Sequence, residues 1–343
     1  MSANDTPGLR LVEAGLGTSL QDLGRRFFQR FGISESGALD APALRLANAL
    51  LGNEPGTAAL EITLSGPVID IEAERVRLAL VGADFPVTLN GQALRTGRSF
   101  EAQRGDRLVI GLARQGARAY LAVAGGFAAA PTLGSLSTHS RSRLGGLDGG
   151  YLKAGDRLAL TPGAAGEGPQ LALPALPAPE AAKLRVVLGP QDDFFTDEGI
   201  ETFLSARYQV SPRADRMGYQ FEGPAIAHAK GFNIVSDGIV NGSIQVPGNG
   251  QPIVLLADRQ TTGGYPKIAT VIEADLPLLA QLRPGESLGF AAVTAEKAEE
   301  IVLAARAAQA ALEAGLIELG AARRPPATGA LLRADLTAGL AGS

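Results

Sequence analysis

Short apolar runs bounded by turn residues recur along most of the chain. In the first half they are Val68–Ile71, Arg77–Val81, Leu108–Ile110 and Ala119–Val123, and Asn90-Gly91 forms a hairpin dipeptide after Pro86–Leu89. In the second half Arg185–Leu188, Asn233–Ser236, Ser243–Val246, Ile253–Leu256 and Ile268–Ile272 repeat the pattern. Runs this short predict strands, and their spacing fits a barrel or sandwich better than strands alternating with helices. A turn also recurs: Arg104-Gly105-Asp106-Arg107-Leu108, Ala154-Gly155-Asp156-Arg157-Leu158 and Pro284-Gly285-Glu286-Ser287-Leu288 each place a Gly-acidic pair before an apolar run.

Helices are few. Asp40 is placed to cap Ala41–Leu51, with Pro42 in the first turn and Gly52 after the end. Thr196 caps Asp197–Leu204, and Asp275 a short helix over Leu276–Leu282. Thr294 starts the longest helix, to about Leu316, with Ile301, Ala305, Ala308 and Leu312 as its apolar stripe. Residues 161–182, TPGAAGEGPQLALPALPAPEAA, carry no period and read as a linker. The expected organisation is a β domain over 8–160, that linker, a second β domain over 183–292, a C-terminal helix over 293–318 and a tail over 319–343.

Composition narrows the function. Gly at 44 and Pro at 21 of 343 residues supply the turns of a β protein, and 45% hydrophobic residues suffice for cores. A net charge of −4 argues against nucleic-acid binding driven by counterion release. Cys is absent, so disulfides, thiolate metal sites and a Cys nucleophile are excluded; with two His, no metal site is expected. No apolar stretch is long enough for a membrane span, and the chain reads as soluble and cytoplasmic.

No P-loop, nucleophile elbow or H-E-x-x-H occurs. Polar residues concentrate in two stretches instead. The first, residues 21–53 followed by Glu61, holds Gln21, Asp22, Asp40, Asn48 and Glu61 as a first-half candidate site. Asp40 also reads as a helix cap, and Asn48 as a residue that fixes a loop. The second, residues 211–267, holds Asp215, Arg216, Ser236-Asp237-Gly238, Gln245 and then Asp258 to Lys267. Around Gly263-Gly264, backbone N–H groups can approach an anion, and Arg259 and Lys267 add fixed positive charge. Asp258 is the candidate acid-base group or a partner of Arg259. Arg259 and Lys267 are the candidates for stabilising developing negative charge. Asp215, Arg216, Gln245, Gln260, Thr261, Thr262, Gly263, Gly264 and Tyr265 are expected to position substrate. Arg95, Arg98, Arg104, Arg107, Arg114 and Arg118 read as solvated strand faces and turns.

The motifs TSLQDLGR (18–25), GISESGALDAPALRLANALLGN (32–53), ALEITLSGP (59–67), LGSLST (133–138), GPQDDFFTDEG (189–199), SPRADRMGYQFEG (211–223) and the long block 236–271 together resemble one family. That family includes the C subunit of 5-oxoprolinase, allophanate hydrolase subunit 2-like proteins and the carboxyltransferase part of urea amidolyase. The resemblance implies a mainly β fold of two cyclophilin-like β-barrel domains. It implies a subunit that works with two others, one allophanate hydrolase subunit 1-like, to open 5-oxo-L-proline to L-glutamate with ATP and Mg2+ supplied at the level of the complex. It also admits a biotin-dependent carboxyltransferase subunit acting on a urea-like nitrogen, and a regulatory antagonist of a kinase inhibitor.

Overall fold

The computed structural model describes residues 8–174 and 183–320. In the first half, two antiparallel sheets enclose one core. The six-stranded sheet runs in the order Arg157–Ala159, Gly8–Glu13, Val68–Ile71, Arg107–Ile110, Val87–Leu89, Gln92–Leu94. The five-stranded sheet runs Ser19–Gln21, Ala59–Thr63, Gln115–Val123, Arg75–Asp84, Ser99–Gln103. Successive side chains of a strand point to opposite faces, and the five-stranded sheet uses both. Leu78, Leu80, Leu121 and Val123 join Leu9, Leu11 and Ile69 between the sheets. Ala79, Val81, Tyr120 and Ala122 point the other way, against helix α1 (Ala41–Ala49) and its Leu44 and Ala47.

The second half closes into a seven-stranded barrel: Lys183–Leu188, Lys267–Val271, Ser243–Gln245, Ile253–Leu255, Gly218–Glu222, Tyr208–Ala214 and Ser287–Ala292, the last pairing in parallel with the first. Its core includes Val186, Phe203, Tyr208, Phe221, Ile244, Val254 and Phe290, and Leu39 of the first half inserts into it. Closure into a barrel is thus seen in the second half, whereas the first-half strands stay in two sheets. The mainly β expectation, with few helices and a C-terminal helix, holds.

Local chemistry explains most elements. Asp40 accepts from Ala43 N at 3.0 Å and starts α1, and Thr196 accepts from Gly199 N to start α2 (Asp197–Ser205). The three recurrent turns are built alike. Gly105, Gly155 and Gly285 have φ of 87°, 92° and 91°, and the following acid accepts from the backbone N–H three residues back, at 2.8, 2.8 and 2.9 Å. Only glycine takes that conformation without strain.

Four expectations are corrected. Asp275 does not cap α3 (Leu276–Ala280): its carboxylate is taken by the Arg185 backbone and guanidinium. Asn233–Ser236 forms no strand, because Val235 is 92% exposed and the run has no face to bury. On α4 (Ala295–Ala314) Ala305 and Ala308 are exposed, so the stripe is half-covered only at its ends, at Ile301 and at Leu312, the latter packing with Leu316 against the α1 cluster. Finally, part of the Ala/Pro/Gly-rich segment is structured. Gln170–Ala172 pairs with Ile317–Leu319, and buried Arg77 donates to the carbonyls of Glu167 and Pro169. The rest of that segment, 175–182, and residues 321–343 of the expected tail lie outside the described residues.

Gly82 sits opposite Ala119 with φ of 127°, where a Cβ would lie 2.4 Å from the Arg118 carbonyl oxygen. That oxygen also accepts from Gln281 of the second half. Gly82→Ala is therefore expected to lower stability by about 1–3 kcal/mol, read as a lower urea midpoint. An unchanged midpoint would contradict this packing.

Candidate active site

The second half docks on the outer face of the five-stranded sheet beside α1. Register decides which residues meet it. Glu61 stands opposite both Ser19 and Tyr120, and Gln21 opposite Ala59, so Gln21, Glu61 and Tyr120 share that face. From the barrel, the turn at Asp215 delivers Arg216, whose backbone carbonyl accepts from Asp258 N at 2.9 Å.

Arg216, 5% exposed, ties the two halves together. Its Nη1 donates to Glu61 Oε1 at 2.6 Å; its Nε and Nη2 reach Asp258 at 3.0 Å each. Nη2 also reaches the Gly37 carbonyl at 2.6 Å and Gln21 Oε1 at 3.2 Å. Glu61 Oε2 accepts from Leu39 N and from the Tyr120 hydroxyl at 2.7 Å, and that hydroxyl accepts from Asp40 N. Further along, Gln281 Nε2 donates to Asp40 and to the Arg118 carbonyl, and its Oε1 accepts from Ala117 N and Arg118 N. Arg118 donates to the Tyr219 hydroxyl and the Ala280 carbonyl.

A buried network of this kind needs every member satisfied. Burial disfavours the charge on Arg216, but Asp258 and Glu61 outweigh it and hold the guanidinium's pKa above its ordinary value. Burial likewise pushes Glu61 up, yet Arg216 and Arg118 pull harder, so its carboxyl lies below the usual range. Asp40, farther from the arginines, is raised by burial, which exceeds the help of Gln281. Tyr120 is raised well above its ordinary value, first by burial and then by Glu61.

A second cluster lies at the other end of the 257–267 turn. The side chain of Lys267 is buried, and its Nζ donates to Asp237 Oδ2 at 2.6 Å and the Gly238 carbonyl at 3.1 Å. Gln191 joins them: its Nε2 donates to Asp237 and its Oε1 accepts from Lys267 N, both at 3.1 Å. Lys267 holds the Asp237 carboxyl below its usual pKa, while half of that side chain stays exposed. The short pair Asp237–Gly238 with Thr262–Gly263 fixes this edge. Gly263 is closely packed: a Cβ would come within 2.6 Å of Gln245 Nε2 and Ile239 Cδ1, so the ends of those two side chains would have to shift.

The residues singled out from sequence thus separate. Gln21, Glu61, Arg216 and Asp258 meet in one network, with Asp40 one hydrogen bond beyond. Asp258 pairs with Arg216, not with Arg259. Arg259 is buried and directed to backbone carbonyls, Ile239 through Nε and Leu256 through Nη1, with Glu35 at 3.9 Å; burial lowers its pKa. Lys267 stands in the second cluster beside Gln245, whose Nε2 donates to the Tyr265 carbonyl. Gln260 is held with its Oε1 buried and unpartnered, Thr261 and Gly264 accept from Ile239 N and Ile234 N through their carbonyls, and the Tyr265 ring is partly exposed.

Three other candidates stand outside both clusters, engaged in local hydrogen bonds. Asp22 binds the Gly24 and Leu136 N–H groups and the Ser135 and Ser137 hydroxyls, wrapping the LGSLST segment around itself. Asn48 reaches the Thr57 carbonyl at 2.7 Å and Asn53, fixing the loop as its sequence setting suggests. Asp215 closes its own turn through Met217 N and Gly218 N and pairs with exposed Arg141.

Arg118, Tyr120, Gln281 and Gln191 join these two clusters although the sequence does not single them out as candidates, and Asp237, present there only as part of a polar stretch, becomes the ionic partner of Lys267. For Arg118 the available signal is its place in the apolar strand Ala117-Arg118-Ala119-Tyr120, two residues from Tyr120 and therefore on the same face.

The family model described as carboxyltransferase domain, subdomain A and B, matches residues 31–292. The chain is 39% identical over 293 residues to the C subunit of 5-oxoprolinase from Escherichia coli (strain K12), covering 84% of this chain and 93% of that protein. It is 36% identical over 283 residues to the Haemophilus influenzae protein of the same name, covering 82% and 90%. Among solved structures, K. lactis urea amidolyase superposes with a TM-score of 0.83 at 30% identity, covering 93% of this chain but 21% of that one, so the chain corresponds to about a fifth of that protein. Matched over most of its length by the family model and by these relatives, the chain belongs to the carboxyltransferase-domain family that contains the C subunit of 5-oxoprolinase and a portion of urea amidolyase.

Proposed function

We propose that this chain is one subunit of a multi-subunit, ATP-dependent 5-oxoprolinase that opens 5-oxo-L-proline to L-glutamate. The observation that carries the reading is coverage: the similarity to the E. coli 5-oxoprolinase C subunit extends over 93% of that protein. Ring opening breaks the lactam C–N bond. The carbonyl carbon gains the hydroxyl of water and the nitrogen gains its proton, while ATP is hydrolysed to ADP and phosphate. Amide resonance makes the carbonyl a poor electrophile, so the site must stabilise negative charge on its oxygen and move a proton.

Lys267 and Asp237 suit these tasks. Two acceptors engage the Lys267 ammonium, which carries three donors, so one N–H is left for a substrate oxygen. Asp237 is open to solvent and bonded to that ammonium, in reach of an exchangeable proton. Asp258, held at both oxygens by Arg216, is a poor free base; its role in this proposal is to fix Arg216 and the joint between the halves. Arg259 positions the turn between the two clusters.

ATP and Mg2+ belong, in this reading, to the partner subunits, one of them allophanate hydrolase subunit 1-like. No helix among the described residues is long and apolar enough to cross a membrane, and we place the complex in the cytoplasm.

The family description and the urea amidolyase superposition support one alternative, transfer of a biotin-borne carboxyl group to a urea-like nitrogen. The two chemistries separate in one assay of the assembled complex. Glutamate and ADP release from 5-oxo-L-proline and ATP, with no biotin- and bicarbonate-dependent carboxylation of urea, is expected. The opposite pattern would replace the lactam reading with the carboxyltransferase one, and binding without either turnover would point to a regulatory protein.

A further inference from the structure

Among the described residues, ten buried side-chain polar atoms have no hydrogen-bond partner, and four of them belong to Arg25, Ser36 and Thr138. These are Arg25 Nε and Nη1, Ser36 Oγ and Thr138 Oγ1. The three residues are carried by segments that pack on one another. Arg25 N donates to the Glu35 carbonyl at 2.8 Å, and Arg25 Nη2 donates to the Ser137 carbonyl. Gly24 lies so close to Ser36 that a Cβ there would come within 2.9 Å of the Ser36 carbonyl oxygen. Glycines also pack against these side chains: a Cβ on Gly145 would be 2.6 Å from Arg25 Nη2, and one on Gly146 would be 2.3 Å from Thr138 Oγ1. Ser36, with φ of 56°, is kept in the left-handed region, a strained conformation for a non-glycine residue.

Arg25 is 1% exposed, and no side chain among the described residues forms an ion pair with it. The two carboxylates whose charge it feels are Asp22 and Asp258. Asp22 is consumed by Gly24, Ser135, Leu136 and Ser137, and both oxygens of Asp258 are held by Arg216. Three guanidinium N–H donors and two hydroxyls thus stand buried and idle near a second arginine, an arrangement that is costly unless something negative completes it. The nearby groups agree in polarity. His139 accepts from Ser142 N through Nδ1, so its Nε2 carries the proton and faces the Asp258 carbonyl at 3.3 Å; it offers no negative charge.

We infer that Arg25, Ser36 and Thr138 form an oxyanion site that takes the carboxylate of a small carboxylic acid, which in the proposed function is the ring carboxylate of 5-oxo-L-proline. The substrate assignment rests on that function; the anion site itself does not. A carboxylate held by charge-assisted hydrogen bonds would orient the lactam while the reacting amide stays free.

Calorimetric titration of the full chain with 5-oxo-L-proline, 2-pyrrolidinone (the same lactam without the carboxylate) and formate tests this. The expected result is 5-oxo-L-proline binding at least about tenfold tighter than 2-pyrrolidinone, competition by formate, and a loss of about tenfold or more for both acids in Arg25→Gln with 2-pyrrolidinone unchanged. Ser36→Gly, which relieves the left-handed strain, and Thr138→Val, which keeps the shape, should each weaken both acids about threefold or more; they decide the matter should Arg25→Gln fail to fold. Equal binding of 5-oxo-L-proline and 2-pyrrolidinone would overturn the anion site and leave the lactam reading standing. Arg25-dependent binding of formate without binding of 5-oxo-L-proline would uphold the site and sink that substrate. Failure of all three probes, or affinities unaltered in every folded variant, would overturn the inference.

Discussion

Arg216→Met is expected to lower folding stability by about 3–5 kcal/mol. The size follows from what remains: two buried carboxylates, Glu61 and Asp258, each deprived of a cationic partner at 2.6–3.0 Å. Glu61 would retain only Leu39 N, the Tyr120 hydroxyl and Arg118 at 3.8 Å. Arg216→Lys should rescue little, because a single ammonium cannot reach the carboxylates, the Gly37 carbonyl and Gln21 together. Removing the stranded charges should recover part of the loss, so Arg216→Met combined with Glu61→Gln and Asp258→Asn is expected to be more stable than Arg216→Met alone. Denaturant midpoints of the parent and these variants check this. A single Arg216→Met variant as stable as the parent would mean that the joint between the halves does not depend on this guanidinium.

Lys267→Met should behave in the opposite way, with turnover lost and the fold kept. Loss of one preorganised donor at a developing oxyanion typically costs about 10²–10³ in kcat. The stability cost should stay near about 1 kcal/mol, since its ionic partner Asp237 is half exposed and can return to water. Arg259→Met makes the informative contrast. Its guanidinium is buried on two backbone carbonyls, so its removal should destabilise the turn and lower activity only through that loss. Circular dichroism melting beside glutamate release from the assembled complex separates the two. Full activity in Lys267→Met would remove Lys267 from the chemistry.

How much of this is legible in the sequence depends on the range of the interaction. The cap at Asp40, the three glycine-acid turns and most strands follow from residues within a few positions of one another, and they stand as read. Asp275 shows the limit of local reasoning: a well-placed capping residue is claimed by Arg185, 90 positions away, because the buried carboxylate gains more from a guanidinium than from one N–H. The site shows the same limit at larger scale. Glu61, Arg216 and Asp258 can each be picked out as polar residues in apolar or Gly-rich settings, but Arg216 meets Glu61 across 155 positions. Nothing in the local pattern says that Asp258 will choose Arg216 over its neighbour Arg259. Arg118 is hidden by composition, since five other arginines on nearby turns and strands make it look solvated. Asp22 and Asp215 show a related limit: the sequence does not reveal that these short carboxylates are engaged by neighbouring N–H groups.

The most direct measurement of the central claim is release of L-glutamate and ADP from 5-oxo-L-proline and ATP by this chain assembled with its candidate partner subunits, each subunit being omitted in turn. The account predicts equimolar glutamate and ADP, lost when this chain is left out and restored when it is added back. Turnover that persists without this chain, or its absence from a verified complex of sound subunits, would contradict it.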